Sequence, residues 1–520
     1  MKDLLKYSLI TATLVVGSSC TNLDEEIKDS FTTRITPTNQ GVGVKVNTNK
    51  ATPNDGLSGA FNRVLNGTAN HGSYFAVQEI STDEAVITQK GGDWFDGGIW
   101  LDMHKHNFTP VVGGINGAWG DIYGGIFQCN DLLNPTAPAP APSPANAAQL
   151  RTLRAYFYWK LMDMFGRVKI VTAPGVDVPQ ATRAQLYDFI VAELTAVLPT
   201  LPAGKQEYGR LSQGAANALL ARVYLNSSVY KGLSGATYMA ELDKAIAAAD
   251  AVINSPAAYS LSADYAKVFS PDNVENVEHI FVAPFDEATG EGMNIAQMTL
   301  HYPSQLTFKL QAQPWNGYST LEEFYNSYEA TDKRRANNFI VGLQKDLEGN
   351  PILDLAFDKA DTDGAEINYT PKINQLAPGG SRQAGARFGK FSFKLGQAPN
   401  MDNDYPLLRF GEVLLNKAEA LWRKSNGDAA ALTLVNQLRT RAGVSALPSL
   451  TAGNFLAERG RELFIEGLRR PDLIRFGVWG EAWWEKPAGG NPNKALMPIP
   501  AEQMIAADAS VNKLTQNPGY

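Results

Sequence analysis

Residues 404–444, DYPLLRFGEVLLNKAEALWRKSNGDAAALTLVNQLRTRAGV, predict two packed helices, and residues 456–477, LAERGRELFIEGLRRPDLIRFG, predict a third. Apolar residues recur every three or four positions in the first run, which places them on one helical face that needs a partner. They are Leu407, Phe410, Leu414, Ala418 and Leu421. After a break at Gly427, a second run carries its own apolar side and ends at Gly443. That side is formed by Leu432, Val435 and Leu438. The tight connection favours an antiparallel hairpin.

Charged residues dominate the third helix, which we expect to start near Leu456 and to bury Leu463, Phe464 and Leu468. Its opposite charges are Arg459, Arg461, Arg469 and Arg470 against Glu458, Glu462 and Glu466. They lie three or four residues apart, a spacing at which side chains pair along a helix for about a few tenths of a kcal/mol. We interpret them as a solvated or ion-paired helix surface. A basic ligand-binding groove is the alternative.

The first half of the chain contains further helix pairs of the same kind, separated by breaks rich in Gly and Pro. A lone helical hairpin cannot cover its apolar face, so repeated hairpins predict a mainly α, tetratricopeptide-like scaffold of stacked pairs. Helical periodicity fades between residues 259 and 400, where only 321–328 form a convincing helix. We predict an N-terminal helical part at 56–258, an irregular loop-rich insertion with short strands at 259–400, and a C-terminal helical part at 401–520.

The N-terminus has the features of a targeting segment. Two lysines precede an apolar core at residues 9–17 that is too short to cross a bilayer, and small residues lead into Cys20. This arrangement resembles a bacterial lipoprotein, so we predict a signal peptide at 1–19, a lipid on Cys20 and a tether at 20–55. The acidic residues Asp24, Glu25 and Glu26 are either an export signal to the outer face or part of a mobile tether.

Composition and motifs weigh against several classes of function. The 520 residues carry a net charge of −7 with both signs interspersed, which gives no basic field for nucleic acid. Common nucleophile and phosphate-binding motifs are missing, although a carboxylate pair for glycoside cleavage stays open because its separation is three-dimensional. Cys129 is expected to be a small buried hydrophobe. His104 and His106 on a strand could share a metal but lack a third ligand, and Asp361, Asp363 and Glu366 only weakly resemble a calcium loop.

Two stretches combine large aromatic rings with polar groups on irregular backbone. One contains Asp93, Trp94, Phe95, Asp96 and Trp100, and the other contains Gln313, Pro314, Trp315, Asn316, Gly317 and Tyr318. A Trp or Tyr ring can cover the C–H face of a sugar while neighbouring polar groups bind its hydroxyls. We therefore predict a carbohydrate-binding site formed by these stretches, with core packing of the rings as the alternative. Trp483 and Trp484 are interpreted as packing or partner contacts.

The order of motifs in the second half resembles the SusD/RagB family of outer-membrane nutrient-binding lipoproteins. The Arg-rich helix is followed by LMPIP (496–500) and LTQNPGY (514–520), and an aromatic helix at 151–166 ends in Phe-Gly. The resemblance implies an aromatic arc that includes WNGY (315–318) and Tyr302, and no enzymatic activity. It implies a lid that delivers oligosaccharide to a SusC-like TonB-dependent transporter, which the helical side would face. A peptide-binding member and a surface glycoside hydrolase are the alternatives. No cofactor is expected, and whether a structural calcium shapes the site stays open.

Overall fold

The computed structural model of the chain describes residues 56–135, 140–286, 292–354 and 364–520. These described residues group into one compact unit. The predicted signal peptide, the lipidated Cys20, the acidic cluster after it and the tether to residue 55 lie outside the described residues, as do Asp361 and Asp363. Within the described ranges, no helix is both long enough and apolar enough to span a membrane.

Helices make up most of the regular structure, as the sequence predicts. In chain order they are α1 (Ser58–Phe61), α2 (Tyr74–Ile80), α3 (Ile99–His104), α4 (Gly113–Leu133), α5 (Pro144–Met164), α6 (Arg183–Val197), α7 (Gln213–Leu225), α8 (Ser227–Tyr230), α9 (Gly235–Ile253), α10 (Ile295–Thr299), α11 (Gln305–Phe308), α12 (Glu322–Asn326), α13 (Lys333–Asn338), α14 (Phe410–Lys424), α15 (Ala429–Ala442), α16 (Ala452–Leu463), α17 (Arg469–Arg475) and α18 (Ala501–Ala507). The long helices pack side by side in two rows, one in the order α4, α5, α6 and one in the order α7, α9, α14, α15.

The strands are short and pair two by two. They are β1 (Ala85–Ile87), β2 (Val168–Lys169), β3 (Gln180–Ala181), β4 (His279–Ala283), β5 (Tyr318–Thr320), β6 (Phe339–Ile340), β7 (Gly342–Leu343), β8 (Asn368–Tyr369), β9 (Arg387–Phe388) and β10 (Tyr405–Arg409). The pairs β1–β5, β2–β3, β4–β10, β6–β9 and β7–β8 are all antiparallel. The mainly helical fold with few short strands is thereby confirmed, while the predicted part boundaries at residues 258 and 400 stay predictions.

Local capping explains where several helices begin and end. The Ser212 hydroxyl accepts from the backbone N–H of Ala215 at the start of α7, and the Asp428 carboxylate does the same for Ala431 in α15. Gly443 ends α15 with a φ of 76°, a left-handed conformation that glycine adopts without a steric cost. The break and the stop that the sequence indicates around the second helix of this hairpin are therefore correct.

Three helix predictions need correction. Leu407 lies in β10 rather than on the first helix, because residues around it are extended and pair with β4; helix α14 begins at Phe410. The third predicted helix is broken after Leu463, where Ile465 takes a φ of 50°, so Phe464 and Leu468 are buried at the break between α16 and α17. The helix predicted at 321–328 is only α12, and α10, α11 and α13 are further short helices of the irregular region.

The interpretation of the C-terminal charges as a solvated or ion-paired surface is right about the pairing and wrong about the surface. Their ion-paired members Arg459, Arg470, Glu458 and Glu462 are all buried. Arg409 is 1% exposed, and its guanidinium donates to Glu466 (2.7 Å), Glu462 (2.9 Å) and Glu278 (3.0 Å). Arg334 is fully buried and pairs with Glu458 and Glu462. Charges can lie in a protein interior when several charge-assisted hydrogen bonds offset their desolvation. The arginines of this network therefore do not form a ligand groove either.

Electrostatics within this buried network agree with its geometry. Burial alone would raise the pKa of Glu458, but Arg334 and Arg461 outweigh burial and lower the pKa to about 2. For Glu462, burial is likewise outweighed by Arg441 and Arg409, and its pKa falls well below the ordinary range. These carboxylates are therefore ionised at neutral pH and hold their arginines through full charges. We name this set of buried pairs the ion-pair network: Arg334, Arg409, Arg441, Glu278, Glu458, Glu462 and Glu466.

The cysteine and the histidine pair behave as packed residues. Cys129 is buried in α4, as predicted, and burial raises the pKa of its thiol to about 12. His104 and His106 lie at the end of α3 and beyond it, not on a strand. His104 Nε2 is hydrogen-bonded to the Trp484 carbonyl oxygen (2.7 Å), and the His106 ring stacks on Trp479 with centroids 4.0 Å apart. The Nε2 atom of each histidine faces a backbone carbonyl oxygen, that of Trp484 for His104 and that of Ser81 for His106.

Candidate functional site

The antiparallel pair β1–β5 brings the two aromatic stretches together. Ile87 at the end of β1 lies opposite Tyr318 at the start of β5. In an antiparallel pair, the segment that leaves one strand and the segment that enters the other meet at the same end. The loop after β1 carries Trp94, and the loop before β5 carries Trp315. Trp94 Nε1 donates a hydrogen bond to the Trp315 carbonyl oxygen (2.7 Å), which joins the loops directly.

Both loops contain residues in the left-handed backbone region. Trp94 has a φ of 61°, Asp96 of 42° and Asn316 of 56°. Such values are uncommon for residues other than glycine, and they cluster at functional sites when the surroundings hold them in place. Gly317 shows how tightly the loops pack, because a Cβ atom there would lie 2.4 Å from Cζ2 of Trp94. Only glycine lets the Trp94 ring lie flat against this backbone.

The loops enclose a depression of about 630 Å³. We call it the aromatic depression. It is lined by His71, Asp93, Trp94, Asp96, Tyr302, Gln313, Pro314 and Trp315. The side chain of Trp315 is 38% exposed, and Trp94 and Tyr302 are half-buried. Large rings therefore remain open to solvent on one side while their other sides are packed, which is the state that a stacking surface requires.

Five of the predicted site residues line the depression or border it, and three do not. Trp94, Asp96, Tyr302 and Trp315 line it, and Phe95 is 48% exposed on the same loop without lining it. Trp100 is 5% exposed, and Asn316 and Tyr318 are fully buried. Their predicted contact with a ligand needs correction, because strand pairing and close packing place their side chains beneath the surface. They support the depression from below.

His71 belongs to the depression, and no pattern in the sequence indicates it. The ring lies 4.8 Å from Trp100, 5.2 Å from Trp94 and 5.6 Å from Tyr318, between centroids, and Nδ1 is hydrogen-bonded to the Tyr318 hydroxyl (2.7 Å). Burial lowers the pKa of His71 to about 4 despite the opposing charge of Asp96, so the imidazole is neutral at physiological pH. A lone histidine in a loop more than 200 residues from Trp315 shows neither periodicity nor a motif.

Two carboxylates at the depression are held by aromatic donors. The Tyr302 hydroxyl donates to Asp93 Oδ2, and Trp100 Nε1 donates to Asp96 Oδ2 (2.6 Å). Burial and the nearby Asp93 raise the pKa of Tyr302 far above its ordinary value, so its hydroxyl keeps its proton. Each carboxylate is thereby oriented through one oxygen, and the Oδ1 atoms have no hydrogen-bond partner among the described residues. Oriented acceptors beside exposed rings suit a ligand with both hydroxyls and apolar faces.

The residues near the second aromatic cluster are packed together. Trp483 lies edge-on to His106 at 5.0 Å, and the Lys486 ammonium sits 4.1 Å from the Trp483 ring centre. Glu323 accepts a hydrogen bond from the Trp484 backbone N–H (3.3 Å). These contacts support the packing interpretation of Trp483 and Trp484. In the described ranges, no three residues of the His, Cys, Asp or Glu type are grouped as metal ligands would be.

Two family models match the chain. Residues 277–520 match the model described as the SusD family, and residues 62–225 match a model described as "Starch-binding associating with outer membrane". Together they cover most of the chain, including both loops of the aromatic depression.

Individual relatives agree with the family models. The starch-binding protein SusD of Bacteroides thetaiotaomicron is 27% identical over 417 residues, which is 72% of each chain. SusD-like protein P2 of Formosa agariphila is 23% identical over 464 residues, covering 82% of this chain and 85% of the relative.

Solved structures share the fold. A laminarin-binding SusD-like protein superposes with a TM-score of 0.68 at 24% identity, over 89% of this chain and 98% of the other. Surface glycan-binding protein A from Bacteroides uniformis gives a TM-score of 0.70 at 21% identity with the same coverage. At this identity the superpositions speak for the fold alone. The two family models, which match residues 62–225 and 277–520, establish that the chain belongs to the SusD/RagB family.

Proposed function

We propose that this chain captures oligosaccharide at the aromatic depression and is a binding protein rather than an enzyme. One observation carries the proposal: the β1–β5 pair joins two loops so that Trp94 and Trp315 stay open to solvent beside the oriented carboxylates Asp93 and Asp96. Exposed indole rings cover the C–H faces of sugars, and carboxylate oxygens accept hydrogen bonds from hydroxyls. The names of several relatives, which refer to starch, laminarin or glycans, support the same ligand class.

Binding rather than catalysis follows from what the depression contains. A glycosidase needs two carboxyl groups placed on either side of the scissile bond, one of them with a raised pKa that lets it act as an acid. Asp93 and Asp96 each accept a hydrogen bond from an aromatic donor through one oxygen, so both carboxylates are held as acceptors. We therefore assign them to the binding of sugar hydroxyls and not to acid catalysis.

We propose further that a lipid on Cys20 anchors the protein to the outer membrane and that it covers a SusC-like TonB-dependent transporter, into which it delivers the glycan. Family membership and the lipoprotein-like N-terminus support this placement. Cys20→Ser is expected to leave the protein soluble after cell fractionation. Membrane association of that variant would contradict the lipid anchor. Co-purification of the tagged chain with a TonB-dependent barrel from detergent extracts tests the partnership, and its absence under conditions that keep the barrel intact would contradict it.

Isothermal titration calorimetry of the mature protein against a panel of glycans and peptides tests the binding function itself. We expect heat of binding from at least one hexasaccharide and none from peptides of similar length. Peptide binding without any glycan binding would assign the chain to a peptide-binding branch of the family. Release of reducing sugar from a bound glycan by the purified protein would show that it is a glycosidase.

A further inference from the structure

The charges at the aromatic depression are of one sign. Asp93 and Asp96 are both exposed, and each keeps one oxygen directed away from its aromatic donor. None of the described residues that line the depression is a lysine or an arginine. The remaining titratable side chains of the lining are His71 and Tyr302, and both are uncharged at neutral pH because burial disfavours their ions. The wall of the depression therefore carries two negative charges.

A buried lysine near the loops does not reverse this charge. The Lys90 ammonium is buried and donates to the carbonyl oxygens of Gly317 (3.0 Å) and Thr88 (3.3 Å). It stabilises the backbone that carries the rings, but it does not line the depression. A second buried cation, Arg382, acts on Tyr302 and is paired with Asp354 at 2.9 Å.

We propose, resting on the proposed function, that the aromatic depression accepts uncharged glycans and rejects glycans that carry carboxylate or sulfate groups. Asp93 and Asp96 accept hydrogen bonds from sugar hydroxyls, and the same two carboxylates repel an acidic substituent. Two like charges about 4 Å apart in water repel each other enough to weaken binding about fivefold, so each of the two carboxylates contributes a factor of about five. Asp93 and Asp96 are thus residues that determine specificity.

Asp93 and Asp96 are held in fixed positions, which strengthens the discrimination against acidic sugars. Asp93 is fixed by a tight turn in which the backbone groups of Lys90 and Asp93 exchange two hydrogen bonds of 3.0 Å, and Tyr302 holds its side chain. Trp100, itself buried, holds Asp96. Neither carboxylate can swing away from an incoming acidic group without breaking these bonds. A flexible surface acid would instead rotate into solvent and discriminate little.

Calorimetry with matched pairs of sugars tests the proposal. The probes are maltohexaose, laminarihexaose, cellohexaose and mannohexaose, each compared with its own derivative in which the C6 hydroxyls are oxidised to carboxylates. For every hexasaccharide that binds, we expect the oxidised form to bind at least tenfold more weakly at low salt. The difference is expected to shrink at about 1 M salt, where the Debye length is about 3 Å.

A charge-removal variant assigns the effect to the two residues. Asp93→Asn with Asp96→Asn retains an oxygen for the Tyr302 and Trp100 donors, so the loops keep their bonds. We expect the ratio of neutral to oxidised affinity to fall to about one in this double variant, because both repelling charges are gone. Asp131→Asn is the matched control, since it removes an exposed acid near the far end of α4, about 25 Å along the helix from Gly114, which lies beside Gly72. In Asp131→Asn, the ratio of neutral to oxidised affinity should stay as in the wild type.

The outcomes separate this proposal from the proposed function. Binding of an oxidised hexasaccharide as tightly as its neutral parent, in EDTA or with added calcium, would overturn the charge selection while leaving glycan binding intact. An unchanged ratio in the Asp93→Asn, Asp96→Asn variant would overturn the assignment to these residues. If neither form of any probe binds, it is the proposed function that is contradicted.

Discussion

The ion-pair network buries charged side chains, and the aromatic depression exposes aromatic ones, which is the opposite of the usual distribution in a folded protein. In the network, Arg334 and Arg409 lie in the interior with almost no exposed surface. In the depression, Trp315 is more than a third exposed. The network is satisfied internally, since each guanidinium donates to two or more carboxylates. The depression leaves ring faces and carboxylate oxygens without partners among the described residues.

This contrast shows that partner groups, rather than residue type, decide burial. A charge enters the interior when its hydrogen bonds are complete, because desolvation is then offset. A ring stays at the surface when the backbone beneath it is already packed, as Gly317 is against Trp94. A region whose polar groups all have partners within the protein is structural, and a region that leaves ring faces and carboxylate oxygens without such partners is a candidate for ligand binding. The following experiments test whether stability and binding divide between the two regions in this way.

The largest effect is expected from breaking the network. Arg409→Ala would leave Glu466 buried without its main cation and would remove one of the cations of Glu462, a loss that typically costs about 3 to 5 kcal/mol. We expect the free energy of unfolding in urea to fall by that amount, while glycan affinity measured on the folded fraction stays unchanged.

Lys267→Ala provides the matched control, since Lys267 pairs with Asp272 at 3.7 Å on the surface, where such pairs contribute about 1 kcal/mol or less. Equal losses of stability in Arg409→Ala and Lys267→Ala would show that the network has no special part in holding the fold.

A buried pair of acids beside Glu466 of the ion-pair network predicts a pH dependence. Glu79 Oε1 accepts from the Gly467 backbone N–H, and Glu84 Oε2 accepts from that of Ile465. Burial raises the pKa of Glu79 from 4.5 to about 7, and burial with the neighbouring Glu79 raises the pKa of Glu84 well above its ordinary value. Both acids therefore hold protons more tightly in the folded state.

The sign of this effect follows from linkage. Stability from the Glu79 proton is complete below pH 4.5 and is lost as the pH rises through about 7. Glu79→Gln cannot ionise, so its stability relative to wild type should improve between pH 5 and pH 8, by about 2 to 3 kcal/mol at 1.4 kcal/mol per pKa unit. Urea unfolding at several pH values measures the difference. The control Glu348→Gln, on an exposed turn, should show no such change in stability relative to wild type. Curves of stability against pH that run parallel for Glu79→Gln and wild type would refute the raised pKa of Glu79.

Loss of a ring should weaken binding without unfolding the protein. Trp315→Ala removes an exposed ring of the depression, and we expect the glycan affinity to fall by about 1 to 3 kcal/mol, as for a central aromatic anchor. Phe127→Ala is the control because Phe127 is also exposed, at 54%, but lies on α4 outside the depression. An unchanged dissociation constant for Trp315→Ala, with normal unfolding, would remove this ring from the site.

The smallest change tests the close approach of the loops. Gly317→Ala would place a methyl group 2.4 Å from the Trp94 ring and force that ring to move, so we expect about tenfold weaker glycan binding. Gly92→Ala adds the same methyl group where nothing lies within 4 Å and should leave affinity unchanged. Calorimetry of both variants decides; full affinity in Gly317→Ala would mean that the position of Trp94 does not matter.

Much of the fold could be predicted from sequence because helical periodicity is local. The spacing of Leu414, Ala418 and Leu421 and the stop at Gly443 depend on neighbours along the chain. The burial of Arg409 could not be predicted, since Glu278 lies more than 100 residues away and a charged helix with paired residues looks the same at a surface or in a core. Strand β10 was missed for a similar reason, as its partner β4 is distant in sequence.

The site was only partly predictable for related reasons. Trp94 and Trp315 stand out because large rings among Gly, Asn and Asp residues on irregular backbone are unusual. Their juxtaposition depends on the register of β1 with β5, which a three-residue strand does not reveal in sequence. The same register buries Tyr318 and brings in His71, whose loop contacts both stretches only in three dimensions.

A structure of the protein with the tightest-binding neutral hexasaccharide tests the central claim most directly. We expect sugar rings to lie against the exposed faces of Trp94 and Trp315, with hydroxyls within hydrogen-bond distance of Asp93 or Asp96. The chain has a second cavity, of about 240 Å³, lined by residues that include Lys205, Tyr208 and His279. Sugar bound in that cavity, with the aromatic depression empty, would contradict the account.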